Sequence, residues 1–206
     1  MADELRVLRR ADYPETPWKN GGGITHEVLR IPERPQFDWR VSIAQIDRPG
    51  PFSDFAGYRR HMALLAGAGI RLRFAQSRRE LCSPGDLVEF DGAEQVDCEL
   101  LAGSCSDLNL MVANGLPARV QVLTVAGPAM FEAAPGESAL LFAMTAPLAV
   151  SHRGRRVQLG IWDALQWQGG AAAVLTTGLV GAGAPNLVFF ATIGHGRQSP
   201  TAPVGQ

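Results

Sequence analysis

The 206-residue chain carries 19 basic and 20 acidic residues for a formal net charge of -1, and 46% of it is hydrophobic, enough to fill a core. That charge balance argues against nucleic acid or a membrane surface as a partner. Glu4 and its charged neighbours leave no apolar leader after Met1, and no stretch nears the roughly 18 apolar residues of a membrane span, so a cytoplasmic protein is expected.

Short apolar runs punctuated by turn residues recur along the chain, and 23 Gly and 14 Pro interrupt it too often for helices of ordinary length. An all-β sandwich or jelly-roll barrel is the predicted class. The first dense polar cluster is 18-WKNGGGITHEV-28. Its glycines permit positive φ and close backbone approach, while Trp18, Lys19 and Asn20 supply an apolar plate, a cation and an amide. The Lys precedes the glycines, so this is not a phosphate loop; a ligand loop and a tight turn are equally good readings.

The predicted strand 39-WRVSIAQI-46 alternates Arg40, Ser42 and Ala44 on one face with Val41, Ile43 and Gln45 on the other. Facing inward, Arg40 and Ser42 would line a polar cavity; alternation alone does not choose. The segment 50-GPFSDFAGYRRH-61 adds Phe52, Ser53, Phe55, Tyr58, Arg59 and His61 before the apolar run 62-MALLAG-67. His61 opens that core strand and is read near a barrel mouth or pointing inward, where a hydrogen-bonded core His is commoner than a catalyst. Further strands are predicted at 87-LVEF-90, 96-VDCELL-101 and 106-SDLNLMV-112. In the last, Asp107, Asn109 and Met111 share a face; buried Asp and Asn need partners, so they bond a loop or touch a ligand, with a structural role favoured for Asp107.

The second half continues with 119-RVQVLTV-125, 139-ALLFAM-144, 157-VQLGIW-162 and 187-LVFFATI-193. Sliding it against the first by about 77 residues places Leu64 on Leu141, Arg78-Arg79 on Arg155-Arg156, Asp86 on Asp163, Gly92 on Gly169 and Asn109-Leu110 on Asn186-Leu187. Two related β modules are expected, over 1–117 and 118–195, followed by a polar, Pro-rich tail at 196–206 read as disordered.

Cys82, Cys98 and Cys105 are odd in number and outside any CxxC spacing, which argues for plain thiols rather than disulfides or zinc. His26, His61, His152 and His195 are far apart with no HxH, and His26 and Glu27 are strand neighbours that point to opposite faces. No bound metal or other cofactor is expected.

Together 18-WKNGGGITHE-27, 39-WRVSIAQI-46, 50-GPFSDFAGYRRHMALLAGAGI-70, 84-PGDLVEFDG-92 and 107-DLNLM-111 resemble the HutD/Ves family. The likeness covers most of the first 112 residues; the second half matches mainly in length and strand rhythm. It implies an all-β, cupin-like (RmlC-like jelly-roll) bicupin, associated in some members with histidine utilisation as a modulator. It also implies a first-module pocket for a small formylated or carboxylate intermediate, with Trp18, Asn20, Arg40, Ser42, Phe52, Ser53, Arg59 and His61 as the matching candidates.

A binding protein is therefore favoured over an enzyme. Arg40 and Lys19 would pair with a carboxylate such as formylglutamate, Asn20 and Ser42 would bond a formyl or amide group, and Trp18 and Phe52 would wall the site. The alternative is a metal-independent hydrolase or isomerase with His61 as general acid or base and Arg40 stabilising an oxyanion. A purely structural or interaction module would instead lack a polar cavity. Oligomeric state is not legible.

Overall fold

A computed structural model describes residues 5–152, 154–170, 175–179 and 186–194, with the backbone alone for Leu175–Leu179. His195 and the expected tail at 196–206 lie outside the described residues. Chain order runs β1 (Arg6–Leu8), a 3-10 turn (Arg10–Asp12), β2 (Glu15–Pro17), β3 (Gly23–Ile31), β4 (Trp39–Ile46), β5 (Gly50–Pro51), β6 (Tyr58–Ala66), β7 (Ile70–Arg73), β8 (Arg78–Leu81), β9 (Leu87–Asp91), β10 (Asp97–Leu100) and β11 (Cys105–Ala113). It continues β12 (Ala118–Val125), β13 (Met130–Phe131), β14 (Glu137–Ala143), β15 (Leu148–His152), β16 (Arg155–Leu159), β17 (Ala164–Gln168), β18 (Leu175–Leu179) and β19 (Asn186–Gly194). This is an all-β, cupin-like architecture. No helix among the described residues is long and apolar enough to cross a membrane.

The strands form two large and two small antiparallel sheets. In the first half the large sheet is ordered β2-β3-β4-β11-β6-β9 and the small one β5-β10-β7-β8. In the second half the order β12-β19-β14-β17 repeats β4-β11-β6-β9, and β13-β18-β15-β16 repeats β5-β10-β7-β8. Strand β1 crosses over: it starts the chain but pairs with β17 in the second half, Val7 opposite Leu165.

The two large sheets pack back to back. Val41, Ile43, Leu65, Leu108 and Leu110 meet Leu140, Phe142, Phe189 and Ile193 in one buried cluster. Because the opposite faces of these sheets cover the small sheets, the central strands are buried on both sides and read as continuous apolar runs. Each half therefore has its own second core, around Leu64, Ile70 and Leu72 in the first and Leu141, Leu148 and Trp167 in the second.

Turn chemistry recurs at the matching corners. Asp86 accepts from the Ser83 amide at 2.9 Å as Asp163 accepts from that of Gly160 at 2.8 Å. Gly92 donates to the Tyr58 carbonyl and Gly169 to that of Glu137, both at 2.7 Å. Neither glycine tolerates a side chain, since a Cβ would lie 2.3 Å from the Phe55 oxygen or 2.1 Å from that of Ala134. These bonds match Tyr58 to Glu137, an offset of 79 rather than 77. Leu64 thus corresponds to Ala143, and from the β6–β11 and β14–β19 ladders Asp107 corresponds to Val188 and Asn109 to Phe190. The sequence pairing of Asn109 with Asn186 is displaced by four residues, because the stretch from Gly169 to the start of β19 is four residues longer than that from Gly92 to the start of β11.

Candidate functional site

The face of β4 that carries Arg40, Ser42 and Ala44 turns into the first-half barrel, and the Val41 and Ile43 face joins the core between the large sheets. On β11, hydrogen-bonded alongside, Asp107, Asn109 and Met111 point the same way. With Arg60 and Met62 from β6 they floor a cavity of about 590 Å³. Trp18, Lys19, Asn20, Phe52 and Ser53 stand around it on the connecting segments.

The polar walls are built by a bulge in β3, where the register slips between Glu27 and Leu29. Residues three apart in a regular strand face opposite ways; the slip brings both Glu27 and Arg30 to the cavity. Arg30 Nε and Nη2 donate to the Glu27 carboxylate at 3.1 and 2.5 Å, and Arg40 Nε donates to its Oε2 at 2.6 Å. Burial raises the Glu27 carboxyl, but the bonds from Arg30 and Arg40 outweigh it and hold the group below the usual carboxylate range. Arg40 is thus oriented by Glu27, with its guanidinium at the cavity edge.

The floor is different in kind. Arg60 is 4% exposed, its Nε has no hydrogen-bond partner, and its guanidinium lies 4.9 Å from the Phe90 ring centroid and 5.3 Å from that of Phe52. Asp107 is fully buried with both carboxylate oxygens unpartnered, and Asn109 Oδ1 is unpartnered as well. Burial pushes the Asp107 carboxyl up to about 7 against the pull of Arg60, and burial draws Arg60 down to about 10 against the pull of Asp107.

The glycine loop is a tight turn that also forms the rim. Trp18 N donates to the Gly23 carbonyl at 2.9 Å, Gly21 takes φ 66°, and Asn20 Oδ1 accepts from the Gly22 amide at 2.9 Å. A Cβ on Gly23 would sit 2.2 Å from the Gln45 carbonyl oxygen, so only glycine fits there. Trp18 Nε1 donates to Thr25 Oγ1 at 2.8 Å and the indole meets Phe52 edge-on at 6.4 Å, fixing an aromatic wall.

Of the sequence candidates, Trp18, Asn20, Arg40, Ser42, Phe52 and Ser53 converge on this cavity. Arg59 and His61 do not; they line a smaller cleft of about 290 Å³ with Glu89 and the 112–118 connection. The parity of β6 decides this, for Arg60 and Met62 face the barrel and Arg59 and His61 face away. His61 Nδ1 lies 3.6 Å from Glu89, and burial, opposed by Glu89, lowers its basicity. Arg60 and Asp107 are the floor residues that sequence reasoning passed over or read as structural. An unpaired Asp in an apolar strand was the available signal for one; nothing fixed the parity of the other.

His26 sits apart, 3.5 Å from Glu15, in a separate cleft. Among the described residues no three His, Cys, Asp or Glu side chains gather into a metal-binding group. Cys82 is exposed, and Cys98 and Cys105 are buried free thiols.

A family model described as HutD matches residues 10–183. The chain is 41% identical over 170 residues to an uncharacterised 21.2 kDa protein in the hutC 3' region of Pseudomonas putida, covering 81% of this chain and 88% of that one. It superposes on a conserved protein of unknown function from Pseudomonas aeruginosa with TM-score 0.84 at 35% identity, over 93% of this chain and 100% of that one. HutD from Pseudomonas fluorescens, in a structure described as a formate condition, gives TM-score 0.78 at 31% identity over 94% and 100% of the two chains. A likeness of fold alone, TM-score 0.58 at 7% identity over 91% and 100%, reaches a cupin 2 conserved barrel domain protein from Leptotrichia buccalis.

Proposed function

The chain belongs to the HutD family, and on that premise we propose that it is a small-molecule-binding protein that modulates histidine utilisation by taking a formylated or carboxylate intermediate into the first-half cavity. The observation that carries this reading is the charge and the unmet hydrogen bonding of the cavity. Lys19, Arg30, Arg40 and Arg60 line it against Glu27 and Asp107, an excess of cations that suits an acid. Arg40 is held in place by Glu27 to meet a carboxylate at the edge, Ser42 offers a hydroxyl to a formyl or amide oxygen, and Trp18 and Phe52 supply the apolar wall.

The relative in the hutC 3' region and the neighbouring HutD structure described as a formate condition point in the same direction. The hydrolase or isomerase alternative draws no support from its intended acid or base, since His61 lies on the far face of β6. Isothermal titration with N-formylglutamate and urocanate tests the proposal. Binding is expected, with Arg40→Ala weakening it about tenfold or more through loss of a charge-assisted contact. Wild-type protein that takes up neither acid, or binding indifferent to Arg40→Ala, would overturn it.

A further inference from the structure

We propose that the first-half cavity takes its acid together with one proton from water, and that Asp107 is where the proton settles; this rests on the carboxylate-binding reading above. Asp107 stands at the cavity floor on β11, fully buried, with neither oxygen meeting a donor. Its ladder neighbours, Ala44 on β4 and Leu64 on β6, bring no charge and no side-chain hydrogen bond. Arg60 is the cation that bears on it, yet Arg60 Nε is itself unpartnered and its guanidinium sits among aromatic rings. An ionised carboxylate so placed lacks the hydrogen bonds that normally offset its desolvation.

A ligand carboxylate drawn to Arg40 and Arg60 adds a like charge in a space of low dielectric and draws on the Arg60 charge that bears on Asp107. Protonating Asp107 relieves both effects and leaves the ligand as the anion facing Arg60. Burial has already brought the Asp107 carboxyl to about 7, so a modest further push suffices near neutral pH. The surrounding groups do not take its place. Glu27 on β3 is held ionised by Arg30 and Arg40, and Asn109 on the same face of β11 does not titrate. Cys98 on β10 is pushed up to about 12 by burial and then by Asp107, so it keeps its proton throughout. Cys105 donates its thiol to the Gly69 carbonyl at 3.3 Å, and Glu99 is engaged outside by Arg71 and Arg73.

The test is calorimetric titration of the full chain with N-formylglutamate in buffers of different ionisation enthalpy. The expected result is uptake of about one proton per ligand somewhat above neutral pH, with affinity falling about tenfold per pH unit once Asp107 is ionised in the empty site. Asp107→Asn should still bind, with no proton uptake and little pH dependence, while His61→Gln should keep the uptake. Infrared difference spectra of the wild type give a second readout that survives a misfolding variant: ligand should raise the protonated-carboxyl band. Binding without proton uptake, uptake that persists in Asp107→Asn, or no new carboxyl band would each overturn this inference alone. No binding of any acid at any pH would sink the carboxylate-binding reading and this one with it.

Discussion

The two halves run the same strand order through the same corners, and they differ in what occupies the middle. Where the first half places Asp107, Asn109 and Arg60 around a cavity, the matching ladder positions in the second are Val188, Phe190 and Ala139. Phe190 stacks 5.9 Å from Trp167 and lies tilted 5.1 Å from Phe131, putting aromatic carbon at the ladder position where the first half has Asn109. Among the described residues, one framework thus carries an apolar and aromatic cluster in one half and a polar cavity in the other. The first half holds its cavity at a cost: Arg60 Nε, both Asp107 oxygens and Asn109 Oδ1 are buried without hydrogen-bond partners, at positions where its twin carries Ala139, Val188 and Phe190.

The comparison can be broken most forcefully by exchanging the two centres. Val188→Asp places a carboxylate in the apolar cluster of the second half, where Ala139 stands in the position of Arg60, and should cost about 3–5 kcal/mol in urea unfolding at mildly alkaline pH. A loss below about 1 kcal/mol would show that the second half has room of its own.

Next in size is the pH effect that Asp107 brings to the hollow half. The folded Asp107 carboxyl, at about 7, lies above its ordinary 3.8, so folding binds a proton there. Its stabilising contribution is complete below about 3.8 and is lost as pH rises through about 7, an effect on the order of 2–4 kcal/mol. Glu27, held below its ordinary range, works the other way: its contribution is present above its unfolded value and lost on acidification through the folded one. Urea midpoints followed from acid to neutral pH should decline with a wild-type component that Asp107→Asn removes. An unchanged profile in that variant would place the buried charge elsewhere.

The shared framework is tested by Gly92→Ala and Gly169→Ala. Each should destabilise by about 2 kcal/mol or more, and by similar amounts, because both Cβ atoms would strike a backbone oxygen. Strongly unequal losses would argue that the corners are not equivalent. The smallest effect belongs to Arg119, which the ladders place opposite Thr192 as Arg40 is placed opposite Met111. It is exposed, so Arg119→Ala should shift stability by less than about 0.5 kcal/mol and leave N-formylglutamate binding intact, in contrast to Arg40→Ala.

Much of this is legible in the sequence. The β4 strand alternates as its residue types require, and the turns at Asp86, Asp163, Gly92 and Gly169 fall where Gly and Asp punctuate the chain. The glycine loop was open between turn and ligand loop, and it forms a turn at the cavity's rim. The β6 strand was opaque. Both of its faces are buried, one in the barrel and one between the large sheets, so Met62, Ala63, Leu64 and Leu65 give no polar phase to count from. That missing phase exchanged Arg60 for Arg59 and His61 as the pocket side chains.

By itself the sequence determined the strand rhythm, the recurrent corners and the family, because turn residues, alternation and specific motifs are local properties of the chain. Which side of β6 meets the cavity, that β1 crosses to the second half, and that Arg60, Asp107 and Asn109 share one floor were decided by tertiary structure. Those facts depend on pairing between strands as far apart as β6 and β11, and a buried charge declares its partners, or its want of them, only when distant strands are brought side by side.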